Sequence, residues 1–192
     1  MRLSTSFYIR PDTLQIGKEL IGKILCVKTD GALTEAIITE TEAYCGTTDM
    51  ASHAYGGRRT NRTEIMYRKG GCAYVYLCYG MYSLFNVVTN KSDIPDAVLI
   101  RGAIPVTGVG TMLKRTGKDT PTDDMLIGPG KLSKAMGIDC SHTGTPLSGN
   151  LIWIEDRGIT VPDNKIKTTP RIGVNYAGED AKLPYRFVFL NK

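Results

Sequence analysis

Two strand-like segments near the N-terminus restrict the chain to folds that contain an antiparallel sheet. Residues 23–28 (KILCVK) and residues 32–44 are rich in apolar and β-branched side chains, and they flank the turn sequence TDG at 29–31. This pattern is typical of a β-hairpin. Two further apolar runs within residues 73–89 flank a second turn, a two-residue turn that begins at Gly80. Hairpins outnumber strand–helix–strand units along the chain, so most strands are predicted to be antiparallel.

Short helices and three more strands are predicted around these hairpins. Asp12, with Gln15 three residues later, is a capping signal for a helix that ends near Gly22. Glycines at both ends of residues 128–137 (GPGKLSKAMG) indicate where another helix starts and stops. The additional strands are predicted at residues 97–101, the last of which is Arg101, and at 151–155 and 185–190.

These elements predict one α+β domain over residues 1–192, with a curved, mostly antiparallel sheet, flanking helices and a protruding β-hairpin. A chain of 192 residues, of which 42% are hydrophobic, is large enough to bury a core of its own. It contains no internal repeat, linker or low-complexity tract that would divide it.

Composition argues against several classes of protein. The chain has no apolar run long enough to cross a membrane, no N-terminal secretion signal and no C-terminal lipidation signal, so we expect a soluble protein that is not exported. Five cysteines without a CxxC pair argue against a disulfide framework. The two histidines, His53 and His142, have no partner at metal-ligand spacing, so no metal is expected. A net charge of +5 permits a polyanionic partner without requiring one.

Carboxylates at the end of a predicted strand are the first candidates for chemistry. Alternation along residues 32–44 puts Ile38, Glu40, Glu42 and Tyr44 on one face of the strand, and His53 follows in a loop. A carboxylate beside an aromatic ring can act as a base next to a flat substrate. Alternation cannot choose between Glu40 and Glu42, and a solvated strand end with a surface loop is the alternative.

The segment after His53 is strongly basic. Five cations stand against the single Glu64 in residues 58–69, namely Arg58, Arg59, Arg62, Arg68 and Lys69. Cations spaced among threonine and asparagine in a loop predict contacts to a phosphate backbone, and a solvated basic loop is the alternative.

Tyrosines are concentrated in the middle of the chain. Seven of them lie within 40 residues: Tyr44, Tyr55, Tyr67, Tyr74, Tyr76, Tyr79 and Tyr82. Such side chains suit a site that stacks flat rings. Tyr79 and Tyr82 lie at the tip of the predicted hairpin with Met81 between them, which indicates insertion into a partner or, alternatively, packing against a neighbouring loop.

Six blocks of the sequence together resemble the alkyladenine (3-methyladenine) DNA glycosylase family. They are ITETEAYCG, MASHAYGGRRTNR, YVYLCYGMYSLFNV, VLIRGAIP, IGPGKLSKAMGI and PRIGVNYAGE, and the resemblance covers roughly residues 12–189. It implies a monofunctional DNA glycosylase of base excision repair, which flips alkylated purines out of duplex DNA and hydrolyses the N-glycosidic bond. It also implies double-stranded DNA as partner, no cofactor and a monomer. The expected location is the nucleoid and cytoplasm of a bacterium or the nucleus of a eukaryote.

The same resemblance implies a role for each candidate residue. Glu42 rather than Glu40 is the general base, and Arg101 helps to hold the attacking water. A guanidinium near Glu42 is also expected to lower the pKa of that carboxylate. The remaining roles are the base pocket (Tyr44, His53 and Tyr76), the screen against guanine (Asn86) and the residue that intercalates into DNA (Tyr79). The loop residues Arg58, Arg59 and Arg62 are expected to contact DNA.

The sequence leaves one structural conflict and two alternative functions open. A two-residue turn at Gly80 pairs Tyr76 with Phe85 and Asn86 with Val75, which puts Tyr76 and Asn86 on opposite faces. If both line a pocket, the hairpin must contain a bulge, a strong twist or a longer loop. The alternatives for function are a non-catalytic nucleic-acid-binding domain and a hydrolase of free nucleosides.

Overall fold

The strand β2 (Ala32–Tyr44) is the centre of the sheet in the computed structural model, which describes residues 1–190. Seven other strands accompany it: β1 (Ile24–Thr29), β3 (Ala73–Cys78), β4 (Tyr82–Thr89), β5 (Asp96–Thr107), β6 (Ile152–Glu155), β7 (Ile166–Thr169) and β8 (Arg186–Phe189). The α-helices are α1 (Thr5–Tyr8), α2 (Thr13–Glu19), α3 (Val109–Thr116) and α4 (Pro129–Met136).

All strand pairs in the described part of the chain are antiparallel. The strand order is β3-β4-β5-β2-β1-β6, and β8 pairs with β2 and with β7. One edge of β2 pairs with β1 along its first half and with β8 at Glu40–Glu42, while the other edge pairs with β5. The predicted α+β fold with a mostly antiparallel sheet, flanking helices and a protruding hairpin is therefore confirmed.

Local sequence explains the first hairpin and the helix ends. Asp30 and Gly31 adopt left-handed backbone angles (φ 52° and 73°) in the two-residue turn between β1 and β2, as the TDG sequence predicted. The Asp12 carboxylate accepts the N–H of Gln15 at 2.9 Å and caps α2. Gly137, at φ 76°, ends α4.

A bulge in β2 reverses its side-chain alternation. Ile38 and Glu40 pair with adjacent residues of β5, so Thr39 is an extra residue. Ile38 and Ala43 both lie in the core shared with the helices, although they are an odd number of positions apart. The prediction that Ile38 shares a face with the carboxylates is therefore wrong. The bulge lets the first half of β2 fill the core while Glu40 and Glu42 lie on the opposite face.

A second bulge, in β5, carries Arg101. Glu40 and Thr41 pair with the residues on either side of Arg101, which is left as an extra residue. The strand continues to Thr107, so the prediction that it ends at Arg101 is wrong. Gly102 weakens the strand pattern in sequence, but pairing with the long β2 maintains it.

The register of the β3–β4 hairpin resolves the conflict over Tyr76 and Asn86. Tyr74 pairs with Asn86 and Cys78 pairs with Tyr82, which leaves three residues in the loop. The predicted two-residue turn is wrong, and the longer loop is the solution that the molecule uses. Because Tyr74 and Tyr76 share a face, Tyr76 and Asn86 also lie on one face.

The three-residue loop of the β3–β4 hairpin contains Tyr79 in a left-handed backbone conformation. Tyr79 has φ 50° and Gly80 has φ 71°, so two successive residues are left-handed. This conformation costs a side-chain-bearing residue about 1–2 kcal/mol. The sequence pattern that places glycine first in a two-residue turn could not reveal it.

Candidate active site and nucleic-acid interface

A cavity of about 630 Å³ opens on the face of the sheet that bears the carboxylates. Predicted site residues from separate elements line it together: Tyr44, His53, Tyr76, Tyr79, Asn86 and Arg101. Arg62 also lines the cavity. The predicted constellation is thus brought together by β2, β3, β4, β5 and the two loops that follow β2 and β3.

Glu42 is fully buried directly behind the cavity wall and touches three of its lining residues. Its Oε2 accepts the Tyr44 hydroxyl at 2.8 Å, and its Oε1 accepts the backbone N–H of Ile172 at 2.8 Å. Arg101 Nε lies 3.5 Å from the same Oε1. Each oxygen is therefore held in a fixed direction by a donor, as a base that must meet a substrate at one point requires.

Burial raises the pKa of Glu42, and the Arg101 guanidinium opposes that rise without cancelling it. Arg101 does lower the pKa of Glu42, as expected, but burial raises it by more. The expected net lowering of the pKa is therefore wrong. The sequence could not show the balance, because Glu42 is buried among segments that are distant in sequence, including the loop whose Ile172 N–H donates to its carboxylate. A base with a raised pKa takes a proton more readily.

Glu40 has different partners from Glu42, and this difference distinguishes the roles of the two carboxylates. Its Oε1 accepts from Arg101 Nε at 2.8 Å and from Arg186 Nε at 2.5 Å. Two guanidinium groups thus neutralise Glu40, whereas the one cation at ion-pair distance from Glu42 among residues 1–190 is the more distant Arg101. Glu40 anchors β5 and β8 to β2, and Glu42 is the carboxylate better placed to act as a base.

His53 is held as a neutral ring in the cavity wall. Its Nδ1 lies 2.7 Å from the Tyr74 hydroxyl oxygen, and its Nε2 lies 3.4 Å from Arg62 Nη2. A guanidinium can only donate, so Nε2 accepts and the proton is on Nδ1. Burial, helped by Arg62 and Arg58, lowers the pKa of His53 to about 4. The ring packs edge-on against Tyr76 with centroids 4.6 Å apart.

Asn86 is buried in the cavity wall with its amide orientation fixed. Its Nδ2 donates to the carbonyl oxygens of Tyr74 at 3.1 Å and Leu84 at 3.2 Å. Carbonyl oxygens only accept, so the nitrogen must face them. The side chain therefore fills a defined position in the wall, as a steric screen would require.

The tip of the β3–β4 hairpin is apolar and exposed. Tyr79 is 85% exposed and Met81 69% exposed. The alternative that the tip packs against a neighbouring loop does not hold for these two side chains. The Tyr82 ring packs directly against Gly130 at the start of α4. A Cβ atom at Gly130 would lie only 2.8 Å from this ring, so no larger residue fits there without a shift. An exposed aromatic tip beside an open cavity is suited to enter a partner.

The basic segment divides into cations in different settings. Arg58 is exposed. Arg59 binds the carboxylates of Glu64 at 2.8 Å and Asp93 at 2.9 Å, so its charge is largely matched within the protein. Arg62 faces the cavity. Contacts of all three to DNA remain predictions, and Arg58 is the one whose setting fits a phosphate contact best.

Sequence reasoning missed a buried ion pair behind the cavity. Arg171 donates to Asp49 Oδ2 at 2.5 Å and to the Ala43 carbonyl at 2.9 Å, and both charged side chains are buried. Its guanidinium carbon lies 4.8 Å from the centre of the Tyr44 ring. The pair fixes the loop that brings Ile172 to the carboxylate. Its only sequence signal was membership of the PRIGVNYAGE block, which carried no assigned role.

Residues 1–190 contain neither a cluster of metal ligands nor a membrane-spanning helix. No group of three or more His, Cys, Asp or Glu side chains in this part of the chain is arranged to hold a metal ion. None of its helices is long and apolar enough to cross a membrane.

Comparison with known proteins agrees with the resemblance read from the sequence blocks. A family model described as methylpurine-DNA glycosylase (MPG) matches residues 6–192. Relatives named "Putative 3-methyladenine DNA glycosylase" include those of Chlamydia abortus (43% identical over 187 residues, 97% of each chain) and Clostridium perfringens strain 13 (41% over 195 residues, 97% of this chain and 95% of the relative). The relative from Bacillus cytotoxicus is 43% identical over 203 residues, covering 100% of this chain and 97% of its own. The chain therefore belongs to the methylpurine-DNA glycosylase family.

Proposed function

We propose that the chain is a 3-methyladenine DNA glycosylase of DNA repair that extrudes a damaged purine from duplex DNA and hydrolyses its N-glycosidic bond. The observation that carries this proposal is the position of Glu42, buried and hydrogen-bonded directly behind an aromatic cavity. The exposed Tyr79 beside the cavity supports base extrusion. Membership of the methylpurine-DNA glycosylase family supports the reaction class.

Extrusion is needed because the sugar–base bond cannot be reached inside a duplex. Unstacking a base costs a few kcal/mol, and a ring that fills the gap offsets part of that cost. Tyr79 is the side chain available for this, because it is 85% exposed at the hairpin tip. The extruded base would then enter the cavity and stack against the tyrosines there.

Hydrolysis requires a water aligned with the sugar carbon. Glu42 would take a proton from that water while the bond to the base breaks. Arg101, which lines the cavity and bridges Glu40 and Glu42, would orient the water. The mechanism uses no amine nucleophile, so strand cleavage is not expected to accompany base release.

Release of damaged bases from defined substrates tests the proposal. Purified protein would be incubated with duplexes that carry 3-methyladenine, hypoxanthine or ethenoadenine, and with the matching free nucleosides. Base release from a duplex without strand cleavage is the expected result. Binding without release would indicate a non-catalytic DNA-binding domain, and release from free nucleosides alone would indicate a nucleoside hydrolase.

Tyr79→Ala is expected to weaken capture of the extruded base by roughly tenfold in a stably paired duplex, because stacking contributes about 1–3 kcal/mol per base. The defect should be smallest at mismatches and in single strands, where less unstacking is needed. Single-turnover rates in the three contexts provide the measurement. Tyr82→Ala is the matched control, since Tyr82 lies against Gly130 and is less exposed. An equal defect in every context would assign Tyr79 a structural role.

Asn86→Ser is expected to raise release of guanine or its alkylated forms relative to hypoxanthine. Guanine carries an exocyclic amino group that a fixed side chain at the cavity wall can reject by clash, and the smaller serine would relieve that clash. Loss of the two hydrogen bonds to Tyr74 and Leu84 should also lower the melting temperature. Both quantities would be measured in the one variant. A lower melting temperature with an unchanged excision ratio would leave Asn86 as a structural residue only.

A further inference from the structure

The cavity contains a cation that the reaction does not require. The guanidinium carbon of Arg62 lies 4.9 Å from the centre of the Tyr76 ring. Its Nη2 lies 3.4 Å from His53 Nε2, and the side chain is one of those that line the cavity. Arg62 thus lies over one of the rings on which an extruded base is expected to stack.

Arg62 is held less firmly than its neighbour Arg59. Arg59 forms ion pairs with Glu64 and Asp93 and also covers Tyr67 with its guanidinium carbon 4.6 Å from the ring centre. Within residues 1–190, Arg62 has no carboxylate at ion-pair distance. Its partners are the Tyr76 ring, the Tyr74 hydroxyl and a weak hydrogen bond to His53, none of which carries a negative charge, so an incoming molecule can displace it.

We propose that Arg62 is a specificity residue that sorts extruded bases by charge. In the free protein its guanidinium occupies the Tyr76 ring, where a cationic purine would gain most from the ring electrons. Two cations cannot both use that ring without repulsion. A neutral purine can displace the guanidinium or stack with it, because guanidinium groups also stack on flat rings.

The consequence is a pocket that favours cationic bases less than its tyrosines alone would. Alkylation of a purine nitrogen makes the base a cation, whereas hypoxanthine and ethenoadenine are neutral. Arg62 therefore reduces the preference of the pocket for cationic alkylated purines over neutral lesions. This inference rests on the proposed glycosylase function, and it makes Arg62 more than one member of a phosphate-binding strip.

The charge of Arg62 also acts on the histidine beside it. Arg62 is one of the charges that lower the pKa of His53, together with burial and Arg58. A guanidinium that disfavours a proton on His53 will also disfavour a cationic purine in the same space. This repulsion between Arg62 and a cationic base depends on the position of the guanidinium and not on the chemistry of base release.

The decisive experiment compares excision of a cationic and a neutral base by Arg62→Gln. Duplexes of one sequence would carry either 3-methyladenine or hypoxanthine, and single-turnover kcat/KM would be measured for each. We expect the cationic-to-neutral ratio to rise by about tenfold, the size of effect that removing one nearby charge produces at a partly screened site. Arg62→Lys, which keeps the charge, should leave the ratio close to that of the unaltered protein.

Lys69→Gln is the matched control, because it removes an exposed positive charge from the same basic segment, outside the cavity wall and not among the charges that lower the pKa of His53. It should lower both rates in parallel and reduce their salt dependence. The same parallel loss in Arg62→Gln, with an unchanged ratio, would overturn the inference and leave Arg62 as a phosphate contact. Inactivity of the unaltered chain on both duplexes would instead overturn the proposed function and with it this inference.

Nitrogen NMR of the histidine rings tests the geometry without any substrate. The chain has only two histidines, so the signals of His53 and His142 can be assigned by replacing one of them. Arg62→Gln should raise the pKa of His53 toward its ordinary value, and Arg62→Lys should do so to a smaller extent. An unchanged His53 pKa in Arg62→Gln would show that the guanidinium does not lie beside the ring, which would overturn the inference.

Discussion

Glu42→Gln is expected to reduce the rate of base release by about 10²- to 10⁴-fold, the usual contribution of a positioned general base. Glutamine keeps the size of the side chain and can still accept the hydrogen bonds from Tyr44 or Ile172 at its remaining oxygen. Damaged DNA should therefore still bind. Single-turnover release from a 3-methyladenine duplex, with binding measured separately, provides the test.

The pH dependence of the unaltered protein checks the same assignment. The base must be ionised, so the rate should fall as pH drops through the pKa of Glu42. Burial raises that pKa, so the fall should be centred above the ordinary range of glutamate. Loss of this acid limb in Glu42→Gln would agree with the assignment, and an unaltered profile would contradict it.

Glu40→Gln is the control for Glu42→Gln, and its expected outcome combines two effects. Glu40 binds both Arg101 and Arg186, so its neutralisation leaves two partly buried guanidinium groups without their shared partner. We expect a clear loss of thermal stability and a milder loss of activity. Losses of activity that are equal in the two variants would contradict the choice of Glu42 as the base.

Local sequence chemistry was enough for the β1–β2 hairpin, the start of α2, the end of α4 and the α+β class, and it located the β3–β4 hairpin without its correct loop length. The TDG turn and the glycines around α4 act within a few residues, so their outcome depends little on the rest of the fold. The family resemblance identified the residues that meet in the cavity. Neither local sequence nor the family resemblance shows which strand pairings bring these residues together.

The features that were missed depend on pairing between distant segments. The bulge at Thr39 appears only when β2 pairs with β5, and it decides which face of the sheet carries Glu40 and Glu42. The net pKa shift of Glu42 likewise depends on burial among segments that are distant in sequence. Sequence alternation describes an isolated strand and contains no information about either effect.

Arg171→Met is expected to lower the free energy of unfolding by about 3–5 kcal/mol, the usual cost of removing one partner of a buried ion pair. The substitution would leave Asp49 buried without its guanidinium, and the carbonyl oxygens of Ala43 and Asp180 would lose a donor. Urea denaturation provides the measurement. Lys182→Met is the matched control, since its pair with Glu179 is largely exposed and should contribute less than about 1 kcal/mol.

The same substitution should also slow base release by more than it weakens DNA binding. Arg171 immediately precedes Ile172, whose N–H holds Glu42, and its guanidinium covers one side of the Tyr44 ring. A loop released from Asp49 would no longer fix that N–H, so the carboxylate would lose one of its two close donors. Combining Arg171→Met with Asp49→Leu removes the unpaired charge and should restore much of the stability but not the rate. Recovery of both together would mean that the pair acts only on stability. Recovery of stability alone would mean that a buried ion pair behind the cavity positions the base for its reaction.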